Sequence, residues 1–129
     1  MIRILLDTPI FICWNGSSTE LSPTARSLCN NPGHQIVLSM ASIWEMQIKH
    51  QLGKLNFITP LMEIIRLQQE NNGLEILPIY LTHIDALSSL PHHHRDPFDR
   101  LLIAQSQVEN IVVLSADAMF RQYPIRVLS

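Results

Sequence analysis

Five short apolar runs, each set apart from the next by turn or helix-length sequence, leave this chain few folds to choose from. Residues 2–6 are apolar almost throughout, as a strand buried on both faces should be. Gln35–Ser39 and residues 74–79, 111–115 and 126–128 supply four further strand-like runs. Helix punctuation lies between them. Thr8-Pro9 reads as an N-cap with proline at the first helical position, and the helix through Ile10, Phe11 and Trp14 stops at Asn15-Gly16. Ser22-Pro23 starts a second helix, which ends near Asn30-Asn31-Pro32-Gly33. Ser42 reads as the cap of a third, with Ile43, Met46, Ile48 and Leu52 spaced for one face and Gly53 as its stop. Pro60 opens a fourth through Leu61, Ile64, Ile65 and Leu67, closed by Asn71-Asn72-Gly73. Residues 82–90 are helical, a polar loop covers 91–95, and Pro97 begins a last helix running to about Glu109. Strands alternating with helices predict an α/β fold with a parallel sheet and helices on both faces. With no internal repeat, low-complexity stretch or linker, residues 1–129 read as a single domain.

Composition excludes several classes. A hydrophobic fraction of 47% suits a globular core, not a disordered chain. No apolar run nears the roughly 18 residues of a membrane span, and residues 1–6 are too short for a signal peptide, so a cytoplasmic location without membrane partners is expected. Cys13 and Cys29 read as buried free thiols of a reducing compartment. A net charge of −2 rules out a general polyanion binder and confines any nucleic-acid contact to a local patch.

Four acids then stand out. Asp7, Glu45, Asp99 and Asp117 each follow a strand-like run or lie near the start of the next helix. In a parallel α/β fold those places meet outside the carboxyl ends of the strands. Clustered carboxylates repel unless a cation lies between them, and Mg²⁺ or Mn²⁺ suits an all-oxygen site. Each acid also has a structural reading. Asp7 can cap the first helix. Glu45 lies three residues after Ser42, a capping-box spacing, and four before Lys49, an ion-pair spacing. Asp96 can cap the helix at Pro97, with Asp99 as a first-turn acid. Asp117 can cap a turn over residues 118–120. Jointly they favour a metal-dependent phosphodiesterase, because caps occur anywhere on a protein whereas these four map to one edge. Thr8 and Ser115 are placed to hydrogen-bond a neighbouring carboxylate.

The surroundings leave alternatives open. His92, His93 and His94 diverge in an extended loop, which favours a solvated loop with one histidine near the acids over a three-histidine metal site. Arg95 and Arg100 either pair with Asp96 and Asp99 or contact phosphate. Lys49, His50 and Lys54 are either a solvated helix face or a basic surface. Trp44 is expected in the core or an interface.

The stretches Leu5-Leu6-Asp7-Thr8, Ser42-Ile43-Trp44-Glu45-Met46-Gln47-Ile48-Lys49 continuing to Leu52-Gly53-Lys54-Leu55, and His94-Arg95-Asp96-Pro97-Phe98-Asp99-Arg100-Leu101-Leu102-Ile103-Ala104-Gln105 resemble the PIN-domain family, and within it the VapC-type toxins. Leu114-Ser115-Ala116-Asp117, Phe120 and Tyr123 extend the resemblance over essentially the whole chain. It implies a three-layer α/β/α fold around a parallel sheet of about five strands. It also implies a Mg²⁺- or Mn²⁺-dependent endoribonuclease, with Asp7, Glu45 and Asp99 at the metal and Asp117 as the peripheral fourth acid. A cognate antitoxin protein, a homodimer and an RNA substrate follow from the same resemblance, with Lys49, Arg95 and Arg100 as candidate RNA contacts. Pro9 departs from the pattern, since close relatives often carry histidine there. Two rival readings are a non-catalytic binding module on the same fold and a receiver-type phospho-acceptor domain. The second is the weaker, because both lysines of this chain, Lys49 and Lys54, lie mid-chain and not near the last strand.

Overall fold

The computed structural model describes residues 2–16 and 20–129. Its five strands are β1 (Arg3–Leu6), β2 (Gln35–Ser39), β3 (Glu75–Leu77), β4 (Val112–Leu114) and β5 (Val127–Leu128). They form one parallel sheet in the order β3-β2-β1-β4-β5. The helices are α1 (Thr8–Asn15), α2 (Pro23–Asn30), α3 (Met40–Gln51), α4 (Leu61–Asn72), α5 (Leu81–Ala86) and α6 (Pro97–Glu109), with short 3-10 turns at Leu87–Ser89 and Ala118–Gln122.

Strand alternation makes the three layers. Ile4 and Leu6 of β1, Ile36 and Leu38 of β2, and Val112 and Leu114 of β4 point to one face. There they pack against Phe11 of α1, Cys29 of α2, Met46 of α3 and Ile65 of α4. The intervening Leu5, Val37 and Val113 point to the other face and meet Leu102, Ile103 and Ala104 of α6, with Phe120 and Tyr123. Both faces of the central strands are therefore buried, which is why they read as apolar runs. The chain moves outward from β1 through β2 to β3, then returns to lay β4 and β5 on β1's other side. The carboxyl ends of β1 and β4 flank that reversal, where doubly wound sheets form their ligand crevice.

Several local expectations need correction. Asp7, not Thr8, caps α1: its Oδ1 accepts the Ile10 N–H at 2.9 Å, and Thr8 is the first helical residue. Ser39, not Ser42, caps α3, because β2 passes into the helix without a loop and the Ser39 hydroxyl already accepts the Ala41 N–H at 3.0 Å. The third strand is only Glu75–Leu77, cut short by Pro78, which has no N–H to give the ladder. The helix expected over 82–90 begins at Leu81 and tightens to a 3-10 turn after Ala86. Trp44 is 59% exposed, which removes the core half of the core-or-interface expectation and leaves the interface half open. Cys13 and Cys29 are free thiols, as expected, with Cys29 buried and Cys13 half-buried. Among the described residues no helix is long and apolar enough to cross a membrane.

Leu38 is fully buried between layers on β2. Leu38→Ala should lower the free energy of unfolding by about 2–5 kcal/mol, read from urea titration. A loss well below that range would mean that the sheet's inner face is not packed as described.

Candidate active site

Strand register builds the site. Leu6 pairs with Leu114, and the next residues along continue the ladder, with the Asp7 N–H donating to Leu114 O at 3.1 Å. Asp7 and Ser115 therefore end adjacent strands side by side, and the Ser115 hydroxyl donates to Asp7 Oδ2. The same hydroxyl accepts the Asp117 N–H at 3.0 Å, so one serine joins two of the four acids. Asp117 also caps its 3-10 turn through Oδ1, which accepts the Met119 N–H at 2.9 Å.

Helices deliver the other two. Glu45 lies on the second turn of α3, buried against Thr8, whose hydroxyl is 2.7 Å from Glu45 Oε1 and 3.0 Å from Ser42 Oγ. Lys49, one turn later, donates to Glu45 Oε2 at 2.9 Å. Asp99 lies in the first turn of α6, whose cap is Asp96: its Oδ1 accepts from the N–H of Phe98 at 2.8 Å and of Asp99 at 3.2 Å. His94 closes the gap between α6 and the end of β4, with Nε2 3.0 Å from Asp99 Oδ2 and 3.2 Å from Asp117 Oδ2. Polar contacts thus run Asp7–Ser115–Asp117–His94–Asp99, the Ser115–Asp117 step through the Asp117 N–H, while Glu45 is held separately by Thr8, the residue next to Asp7.

The sequence singled out the four acids, Thr8 and Ser115, and the structure brings all six together. The one histidine expected near the acids is His94. Sequence reasoning left out the bond between the Thr8 and Ser42 hydroxyls and one further contact. The Ser39 hydroxyl donates to the Gln105 carboxamide oxygen, tying the start of α3 to α6. Those partners are 66 residues apart, beyond any periodic signal. Arg100 is committed to its own loop: its guanidinium donates to Pro91 O at 2.8 Å, and to Leu87 O and Tyr123 Oη at 3.4 Å. Tyr123 Oη in turn accepts the His94 N–H at 2.8 Å. Arg95 remains exposed, on a cleft of about 580 Å³ shared with His92, His94 and Pro97. Trp44 meets Phe98 edge to face at 5.3 Å, which puts an exposed aromatic step beside Glu45 and Asp99.

Electrostatics mark the acids as strained. Burial pushes the Asp7 carboxyl up to about 6; the Ser115 hydroxyl and the Ile10 N–H hold it down in part, while Asp117 and Glu45 push it further. Burial also raises Asp99, to about 7, with Asp96, Glu45 and Asp7 adding repulsion against the pull of His94. Lys49 is raised by its bond to Glu45. Among the described residues, Lys49 and His94 are the basic side chains in contact with these four acids. The chemistry of this donor set fits a hard divalent cation: oxygen-rich, anionic and short of positive charge. Ligand atoms of His94, Asp99 and Asp117 lie within 4.8 Å of one another, and Asp7 and Glu45 are near enough to repel Asp99.

The profile of the PIN domain family matches residues 4–125. The chain belongs to the PIN-domain family. Solved structures agree on the fold. VapBC2 from Rickettsia felis, bound to a DNA fragment from its promoter, aligns with a TM-score of 0.72 at 14% identity over 98% of both chains. FitAcB from Neisseria gonorrhoeae aligns at 0.67 and 15% identity, over 98% of this chain and 96% of that one. DNA-bound VapBC from Salmonella typhimurium aligns at 0.65 and 13% identity, over 99% and 98%. At such identities the likeness concerns the fold. No curated protein sequence matches the chain.

A pH signature follows. The folded-state value of Asp7, about 6, lies above its ordinary 3.8, so between those values the folded protein holds a proton that the unfolded chain releases. The stability contributed by Asp7 is therefore highest at low pH and is lost as pH rises through 6. In metal-free protein, the stability of Asp7→Asn relative to wild type should rise by about 1–3 kcal/mol between pH 4 and pH 7.5. Parallel stability profiles for the two proteins would show that Asp7 carries no such strain.

Proposed function

We propose that this PIN domain is a divalent-metal-dependent endoribonuclease and the toxin half of a toxin–antitoxin pair. The observation that carries the reading is the cluster of four acids at the carboxyl edge of the sheet, with Asp7 and Asp99 raised toward neutrality by burial and by repulsion from acidic neighbours. Evolution of a merely structural edge has no reason to hold such charges together, since each uncompensated buried carboxylate costs stability. A bound Mg²⁺ or Mn²⁺ would supply activation of water and neutralisation of charge on the phosphate. Asp7, Glu45 and Asp99 would hold it, and Asp117 would complete a second position or orient a water.

The chain's other residues have supporting parts in this reading. Thr8 and Ser115 fix the carboxylates of Glu45 and Asp7, so their orientation is set before any ligand arrives. Lys49, now paired with Glu45, becomes available to a phosphate once a cation takes over that carboxylate. Arg95 is the exposed cation of the neighbouring cleft and is the better placed arginine for the RNA backbone, because Arg100 is bound within its loop.

The partners follow from family and fold. The structural relatives named above are VapBC and FitAB assemblies, some captured on DNA. By analogy this chain has a cognate antitoxin, works as a homodimer and acts in the cytoplasm. The antitoxin is expected to set an Arg or Lys among the acids and an apolar segment near the exposed Trp44.

With Mg²⁺ or Mn²⁺ the protein should cleave RNA, and Asp7→Asn should reduce the rate by at least about a hundredfold while leaving the protein folded. Cleavage by Asp7→Asn at the wild-type rate would remove Asp7 from the metal site. Glu45→Gln and Asp99→Asn should each cost nearly as much as the double variant, because a half-built site retains little function. Losses that multiply would assign the two acids separate jobs. Expressed alone, the wild-type gene should arrest growth; equal toxicity of the Asp7→Asn variant would end the nuclease-toxin reading.

A further inference from the structure

His94 stands where a fourth metal ligand would be expected. Its Nε2 and one carboxylate oxygen each from Asp99 and Asp117 lie within 4.8 Å of one another, close enough to share an ion. The opposite side of the ring decides otherwise. The Asp96 N–H points at His94 Nδ1 at 3.2 Å. A backbone N–H can only donate, so Nδ1 is an acceptor and the ring's hydrogen sits on Nε2. An Nε2 that carries hydrogen offers no lone pair to a cation; it donates to the two carboxylates beside it. Ligation would require that hydrogen to move to Nδ1, against the Asp96 N–H. Asp96 is not free to turn away, because it caps α6 through two hydrogen bonds of its own.

The ring's placement is also built in. The His94 N–H is held by the buried Tyr123 hydroxyl, and Arg100 ties Pro91, Leu87 and the same hydroxyl together beneath the loop. The His94 ring packs edge-on against Phe120 at 6.2 Å. Asp117 needs such an anchor: its side chain is the most exposed among the three, and among the described residues its other hydrogen bond into the site is its N–H to Ser115.

We propose that His94 is a positioning residue and not a metal ligand: its Nε2–H is shared between Asp99 and Asp117 and ties the peripheral acid to the metal-binding edge. The inference rests on the metal-nuclease reading above and specifies how that site is held.

The test uses the full chain with Mn²⁺ as the probe. Long-range ¹H–¹⁵N NMR of the metal-free protein should show His94 as the Nε2–H tautomer; the Nδ1–H tautomer would overturn the proposal. Pulsed EPR of bound Mn²⁺ should show no directly coordinated nitrogen. A nitrogen coupling that disappears in His94→Gln would make His94 a ligand and overturn the proposal, while leaving the nuclease reading intact. His94→Gln keeps an N–H donor near the Nε2 position and should hold Mn²⁺ within about threefold of wild type, whereas His94→Leu should lose about 10–100-fold. Equal losses in the two variants would contradict a donor role. The tautomer and the Gln variant report even if the Leu variant fails to fold. Failure of wild type to bind Mn²⁺ at all would remove the nuclease reading and this proposal together.

Discussion

The site depends on one contact: the Ser115 hydroxyl against the Asp7 carboxylate across the ends of β4 and β1. A carboxylate at the end of a strand buried on both faces would be costly if left unpaired. Here one oxygen takes the Ser115 O–H and the other takes the Ile10 N–H at the start of α1. Those two bonds fix where α1 leaves the sheet and where Asp117 enters the edge, since Ser115 also receives the Asp117 N–H. Fold and site are therefore one construction, with the first helix's cap serving as the first acid of the cluster.

The compensation is incomplete, and that incompleteness points to function. Two hydrogen bonds do not offset the burial of Asp7, and burial, with repulsion from Asp96, Glu45 and Asp7, raises Asp99 higher still. Structural ion-pair networks can also perturb titration, but they do so with opposite charges in balance. Here Lys49 and His94 face four acids. Under the proposed function this edge awaits positive charge from outside, and the hydroxyls of Thr8 and Ser115, bonded to Glu45 and Asp7, would orient those carboxylates in advance.

Much of this was legible because parallel sheets turn strand order into geography. Asp7 and Ser115 follow the ends of apolar runs, so their meeting at one edge needed only the α/β alternation. The helix expected from Pro97 to about Glu109 has those bounds: Asp96-Pro97 opens it, and the structure shows Asn110, in the left-handed conformation at φ 54°, closing it. The misplaced caps share a cause. Asp7-Thr8 and Ser39 with Ser42 each offer two capping side chains a few residues apart, and only the exact point where strand becomes helix selects one. Thr8, displaced from capping, turns its hydroxyl to Glu45 and to Ser42 Oγ instead. A histidine near the acids was expected, but which one, and the reach of His94 to Asp117 and of Gln105 to Ser39, were not: those partners lie 23 and 66 residues away, and neither separation leaves a trace in hydrophobic period. Trp44 shows the limit of composition: a large apolar side chain on an amphipathic helix faces solvent here, packed edge to face on Phe98.

Proton release on metal binding tests the cation site most directly. Asp99 and Asp7, raised to about 7 and 6, retain protons near neutral pH that a divalent cation must displace. Calorimetric titration of Mn²⁺ at pH 6.5, in buffers of different ionisation enthalpy, should report release of roughly one proton per ion bound, falling toward zero by about pH 8.5. Binding that releases no proton at pH 6.5, or that is unchanged in Asp7→Asn, would contradict a metal held by the buried carboxylates at this edge.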